Sequence, residues 1–154
     1  MALVIADAGP VIALTKTGQL ALLQSLFGEV TLPEAVWQET QAKDAPDSRM
    51  IQQARQAGWL RVEPVVVSRR FPLSLHDGEC QALQLAYDKE NALLILDDQF
   101  ARREAIRMKL NFIGTVKVLA VAEQQGLIDS AEAAVLALQT AGYRVSVKFL
   151  DDLL

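Results

Sequence analysis

The chain has 154 residues, about one domain by length and enough for a sizeable core. Its hydrophobic fraction of 51% and charged fraction of 22% are ordinary for a globular protein, and no apolar run reaches membrane-spanning length. Nineteen acidic residues against fifteen basic ones leave a formal charge of −4. That excludes the bulk basic footprint of a nucleic-acid coat protein, though not an enzyme acting on nucleic acid through a small acidic site. One cysteine, Cys80, excludes an internal disulfide, and one histidine, His76, argues against histidine-rich zinc ligation. The N-terminal stretch MALVIADAGPVIAL lacks the basic start of a signal peptide and is interrupted by Asp7 and Pro10. The expectation is a cytoplasmic protein.

In chain order, ALVIA (2–6) is uniformly apolar, as in a strand covered on both faces, and Pro10 suits the first turn of the next helix. TGQLALLQSLFG (17–28) has leucines at helical spacing and closes on Gly28 as a C-cap. EVTL (29–32) predicts a strand and PEAVWQETQA a helix opened by Pro33. Residues 43–47 form a loop, and Ser48 is expected to cap SRMIQQARQAG. WLRVEPVVV (59–67) predicts a strand that Pro64 either ends or confines to a sheet edge. A basic connector over 68–74 leads to the helix LHDGECQALQLAYDKE and the strand ALLIL (92–96). DQFARREAIRMKL is an amphipathic helix, NFIG a short strand, and TVKVLAVAEQQG and SAEAAVLALQTAG two more helices. The segment YRVSVKFLDDLL has no clear pattern. This alternation predicts one α/β domain over 1–154, a three-layer α/β/α sandwich around a mostly parallel sheet.

The chemistry gathers where buried strands end in acids. VIAD (4–7) and LILD (94–97) each run from apolar residues straight into an aspartate. In open parallel sheets, functional groups collect at the carboxyl ends of strands near the point where strand order reverses. If the two strands are neighbours, Asp7 and Asp97 meet there. Helical spacing puts Glu39 on the inward face with Val36 and Ala35, and Glu79 on that of Ala82, Leu83 and Ala86. Inward carboxylates repel one another and resist ionisation, whereas a hard divalent cation such as Mg²⁺ or Mn²⁺ favours such an oxygen set.

Each acid also admits a plainer role. Asp98 stands where an N-cap belongs, and Asp7 could cap the helix at Gly9 and Pro10. Glu79 could close a capping box near His76, and Glu39 could reach solvent at its helix edge. Arg102 and Arg103, one turn beyond Asp97, suit a phosphate-facing role or an exposed helix face. Arg69 and Arg70 read as an RNA-contacting patch or a solvated loop. Trp37 and Trp59 read as core, and Cys80 as a small buried hydrophobe.

The order of IADAGPVIAL, LFGEVTLPEAVWQE, DGECQALQLA, LLILDDQFAR and FIGTVKVLAVAEQQGLI resembles the PIN-domain nucleases, particularly the branch near VapC-type toxins. By position, Asp7, Glu39, Glu79 and Asp97 match the family's acids, with Asp98 as a fifth. The resemblance implies a Mg²⁺- or Mn²⁺-dependent endoribonuclease leaving a 5′-phosphate and a 3′-hydroxyl. It also implies a toxin held by an antitoxin protein, and a homodimer, for which the apolar C-terminal helices offer a surface. The chain departs from the family at Ala8 and Gly9, where a hydroxyl or amide often steadies the first aspartate. That departure supports an alternative: a PIN-like RNA- or protein-binding regulatory module without turnover. LILDD with Lys117 suggests a third reading, a receiver-like phosphoacceptor, but there the acidic pair should follow the first strand.

Overall fold

The computed structural model describes residues 2–144, so positions 145–154 of the unpatterned segment lie outside the described residues. The order is β1 (Leu3–Ala6), α1 (Ala8–Lys16), α2 (Ala21–Phe27), β2 (Val30–Pro33), α3 (Glu34–Thr40), α4 (Pro46–Gln56) and β3 (Leu60–Glu63). It continues with α5 (Asp77–Asp88), β4 (Ala92–Ile95), α6 (Gln99–Arg107), β5 (Asn111–Ile113), α7 (Thr115–Gln124) and α8 (Ala131–Thr140). The five strands form one sheet in the order β3-β2-β1-β4-β5. Every pairing is parallel, so the expected mostly parallel sheet is wholly so among the described residues. No described helix is long and apolar enough to cross a membrane.

The uniformly apolar strands follow from the two faces they feed. Val4 and Ala6 of β1 and Ile95 of β4 enter a core shared with Val11 and Leu14 of α1, Leu119 of α7 and Leu138 of α8. Ile5, Leu94 and Leu96 point the other way, into a second core with Leu83 of α5 and Ala101 and Ala105 of α6. With both faces covered, alternation gives no polar side, and the strand reads as a continuous hydrophobic run. The apolar faces of α7 and α8 pack into this same core through Val118, Leu119, Val135 and Leu138. Most of the apolar surface read as a dimer face is therefore internal.

Several boundaries differ from the sequence reading for local reasons. The helix expected over 17–28 begins only at Ala21, because Gly18 takes a positive φ of 71° and separates α2 from α1. Gly28 closes it as expected, with φ 78°. Ala45, not Ser48, is the N-cap of α4; Ser48 lies inside the first turn, its Oγ accepting from the Ala45 N–H at 3.2 Å. Pro33 is both the last residue of β2 and the N-cap of α3. β3 stops before Pro64 and occupies the sheet edge, satisfying both readings of that proline.

Strand order reverses beside β1. From β1 the chain builds outward through β2 and β3, then returns to place β4 on the other side of β1. Ala6 lies opposite Ile95, and the Asp7 N–H donates to the Ile95 carbonyl at 3.0 Å. Asp7 and Asp97 thus leave neighbouring strands at the same end of the sheet, at the switch point. Leu94 is fully buried beneath α5 and α6. Leu94→Ala is expected to destabilise the protein by roughly 2–5 kcal/mol, read from urea unfolding by circular dichroism. A cost near zero would contradict the close packing of that face.

Candidate active site

A cleft of about 310 Å³ opens at the switch point, and Asp7, Glu39, Glu79, Asp97 and Asp98 all line it. Asp7 comes from the end of β1 and sits at the N-cap position of α1, where its side chain makes no capping bond. Only 7% of the residue is exposed. Burial, reinforced by the charges of Glu79, Glu39 and Asp98, pushes its pKa up to about 7 against the opposing pull of the Ala8 amide.

Glu79 and Asp98 combine the two roles that their sequence positions left open. Glu79 occupies the first turn of α5, is buried, and accepts the His76 N–H at 2.9 Å. Burial first, then the charge of Asp98 and a hydrogen bond with it, raises the Glu79 pKa. Asp98 caps α6 by accepting the Ala101 N–H at 2.9 Å. Each cap uses part of a carboxylate and leaves the group beside the cleft. His76 is exposed at the rim.

Glu39 requires a correction. Val36 is buried as expected, but Glu39 is exposed. The seven-residue α3 is near its end at Glu39, so the side chain reaches the cleft from the solvent side. Its charge still acts on Asp7.

Asp97 is held differently from the other acids. Its Oδ1 accepts the Thr115 N–H at 2.9 Å and faces the Arg102 guanidinium at 3.5 Å. Its Oδ2 accepts the hydroxyls of Thr115 and Tyr143. Arg102 also donates from Nε to the Leu96 carbonyl at 2.8 Å and lies over the Phe112 ring. The phosphate-facing reading of Arg102 is therefore replaced by a positioning one: its guanidinium is turned inward to Asp97 and the end of β4. Arg103 is exposed and stacks near the Phe100 ring.

Gly114 makes room for this arrangement. A Cβ there would stand 2.0 Å from Arg102 Nη2 and 2.7 Å from Asp97 Oδ1. Sequence reasoning missed Gly114, Thr115 and Tyr143. The first two follow β5, the neighbour of β4, so the switch-point rule carried a signal for them; Tyr143, beyond α8, had none.

The remaining singled-out residues lie elsewhere. Trp59 is buried, and Trp37 packs on the core beneath Arg55. Cys80 is only partly buried, packed against the second core. Arg69 and Arg70 are exposed, with Arg69 over the Tyr87 ring. Lys117 is exposed on α7, and the cation beside Asp97 is Arg102, which removes the receiver-like pocket.

The donor chemistry fits a hard divalent cation. Five carboxylates face one cleft, and Asp7, Glu39, Glu79 and Asp98 form no salt bridge among the described residues. A dication would offset both the burial that chiefly raises the Asp7 pKa and the repulsion from the neighbouring acids. Among the described residues, no three acid, histidine or cysteine side chains are already disposed to hold an ion directly. Binding here therefore calls for water-bridged contacts, which Mg²⁺ commonly keeps, or for rotation of the carboxylates inward.

A family model described as DUF3368, PIN domain, matches residues 3–154. The chain belongs to the PIN-domain family. PIN domains are generally metal-dependent nucleases that use divalent ions, so the coarse assignment is a nuclease. A solved structure of a PilT N-terminus domain protein from the hyperthermophilic archaeon Sulfolobus solfataricus P2 shares the fold. It has a TM-score of 0.57 at 16% identity, covering 78% of this chain and 92% of that one. No curated protein matches.

Two outcomes follow for this PIN domain. Asp7 binds a proton in the folded protein that the unfolded chain releases near pH 4, so its burial costs stability increasingly as pH rises from 4 to about 7, then levels off. That cost is on the order of 4 kcal/mol. Asp7→Asn is expected to raise the melting temperature of the ion-free protein at pH 8 and leave it unchanged near pH 4, with millimolar Mn²⁺ stabilising the parent alone. A variant less stable than the parent at pH 8 would contradict the burial argument. Gly114→Ala is expected to swing Arg102 off Asp97 and cost about 1–2 kcal/mol in denaturant unfolding.

Proposed function

We propose that this PIN domain is a Mg²⁺- or Mn²⁺-dependent endoribonuclease, the toxin of a toxin–antitoxin pair. The observation that carries the nuclease reading is the convergence of Asp7, Glu39, Glu79, Asp97 and Asp98 on one cleft at the switch point. Asp7, Glu39, Glu79, Asp97 and Asp98 are the groups that would hold the ion, directly or through water. Asp97, fixed by Thr115, Tyr143 and Arg102, orients that end of the site. When bound, the ion supplies Lewis acidity toward an attacking water and the phosphoryl oxygens.

The chain's own residues do the rest. Burial keeps Asp7 ready to exchange its proton for a cation near neutral pH. The Asp98 cap and the Glu79 capping bond fix two carboxylates on helix N-termini, so they reorganise little during reaction. Arg103, exposed on α6 about one turn beyond its Asp98 cap, is the cation we assign to the RNA backbone, offsetting repulsion from the acids. The toxin role, the antitoxin partner and a homodimer extend the VapC-like resemblance of the sequence. Light scattering alone and with a co-expressed partner tests the assembly.

A second reading is favoured by one feature: Asp97 is already saturated by protein donors, as suits a binding module without turnover. RNA cleavage with Mn²⁺, with and without chelator, separates the two. The nuclease reading expects ion-dependent cleavage that falls in Asp7→Asn and Asp97→Asn by at least the roughly 10–100-fold typical of even an indirect metal partner. Ion binding without cleavage supports the module. Equal cleavage by all three proteins points to a contaminant.

A further inference from the structure

We propose that the Tyr143 hydroxyl is a built-in competitor for the divalent ion, occupying one lone pair of Asp97 that the ion needs for direct contact. The inference rests on the metal-dependent reading above and deepens it.

A carboxylate oxygen accepts about two strong hydrogen bonds, and all four places on Asp97 are taken. Thr115 provides its amide and its hydroxyl, Arg102 its guanidinium, and Tyr143 its hydroxyl. Three of these are tied to the sheet. Thr115 opens α7 directly after β5, and Arg102 is clamped to the end of β4 by the Leu96 carbonyl. Tyr143 differs: it lies beyond α8, outside any regular element, 46 residues from Asp97 in sequence. It is the donor of the four that comes from outside the strand-end elements, its own amide bonded to the Leu138 carbonyl of α8 and its ring packed on the core.

Its position also puts it on the cleft. Tyr143 lines the same cleft as Asp7, Glu39 and Glu79, and lies within electrostatic reach of Asp7. A Cβ on Gly9, two residues past Asp7, would stand 3.5 Å from the tyrosine oxygen. That is ordinary contact distance, so Gly9 of α1 lies directly against the hydroxyl. The hydroxyl satisfies Asp97 and brings no positive charge to the cleft that Asp7 shares.

The test is Mn²⁺ titration of the full chain and of Tyr143→Phe, by calorimetry and by electron paramagnetic resonance of the free ion, with ion-free melting curves alongside. Phenylalanine keeps the ring and removes only the donor. The expected result is roughly 3- to 10-fold tighter Mn²⁺ binding in Tyr143→Phe, with a lower ion-free melting temperature from the lost hydrogen bond. A merely structural tyrosine would lower the melting temperature without tightening the ion. Unchanged or weaker binding in the variant overturns the competitor role and leaves the nuclease reading standing. No Mn²⁺ binding by either protein overturns both.

Discussion

Two aspartates leave adjacent buried strands at the reversal point of a parallel sheet, and the rest of the site follows from how each carboxylate is compensated. Asp7 is buried and Asp97 half-buried, and an ionised carboxylate in such a place needs donors or a cation. Asp97 has donors on both oxygens, from residues packed on the neighbouring strand and beyond α8. Asp7 has the Ala8 amide set against burial and three other acids, and its proton affinity rises until neutral pH is its midpoint. One strand end is thus pre-organised by the protein itself. The other forms no salt bridge among the described residues.

Capping and site formation are commonly treated as alternatives for an acid at a helix start, yet here they coincide. Asp98 accepts an amide from α6, and Glu79 accepts the His76 amide ahead of α5. These bonds fix carboxylates whose remaining acceptor capacity faces the cleft, and the helix dipoles favour their charge there. The result is rigid at the helix starts and open in charge at the centre, as suits electrostatic catalysis on a polyanion.

Close approach completes the arrangement. Gly114 lets the end of β5 come against Arg102 and Asp97 at distances that no Cβ would permit. Gly78, before Glu79, packs against Val36 of α3 and lies near Asp7, drawing the helix that carries Glu79 toward the one that carries Glu39. Arg102 is part of the same packing: it ties Asp97 to the end of β4.

The periodicity of single segments already determined much of the protein. Uniform apolar runs such as LLIL, broken by helices of amphipathic spacing, specify strands buried on both faces, and Pro64 marks an edge. An acid directly after such a run places Asp7 and Asp97 at strand ends, because a strand must leave its core at a definite residue. Periodicity could not show that Glu39 reaches the cleft from solvent, since that depends on where a seven-residue helix ends. Nor could it show that Arg102 turns inward while its neighbour Arg103 stays exposed, since the two are only about 100° apart around α6. Two partners of Asp97, Thr115 and Tyr143, stand 18 and 46 residues further along, and no local pattern links residues so distant. Which carboxylate is satisfied and which is left wanting was decided only by tertiary packing, because compensation of a buried charge depends on what lies within a few ångströms, whatever the separation along the chain.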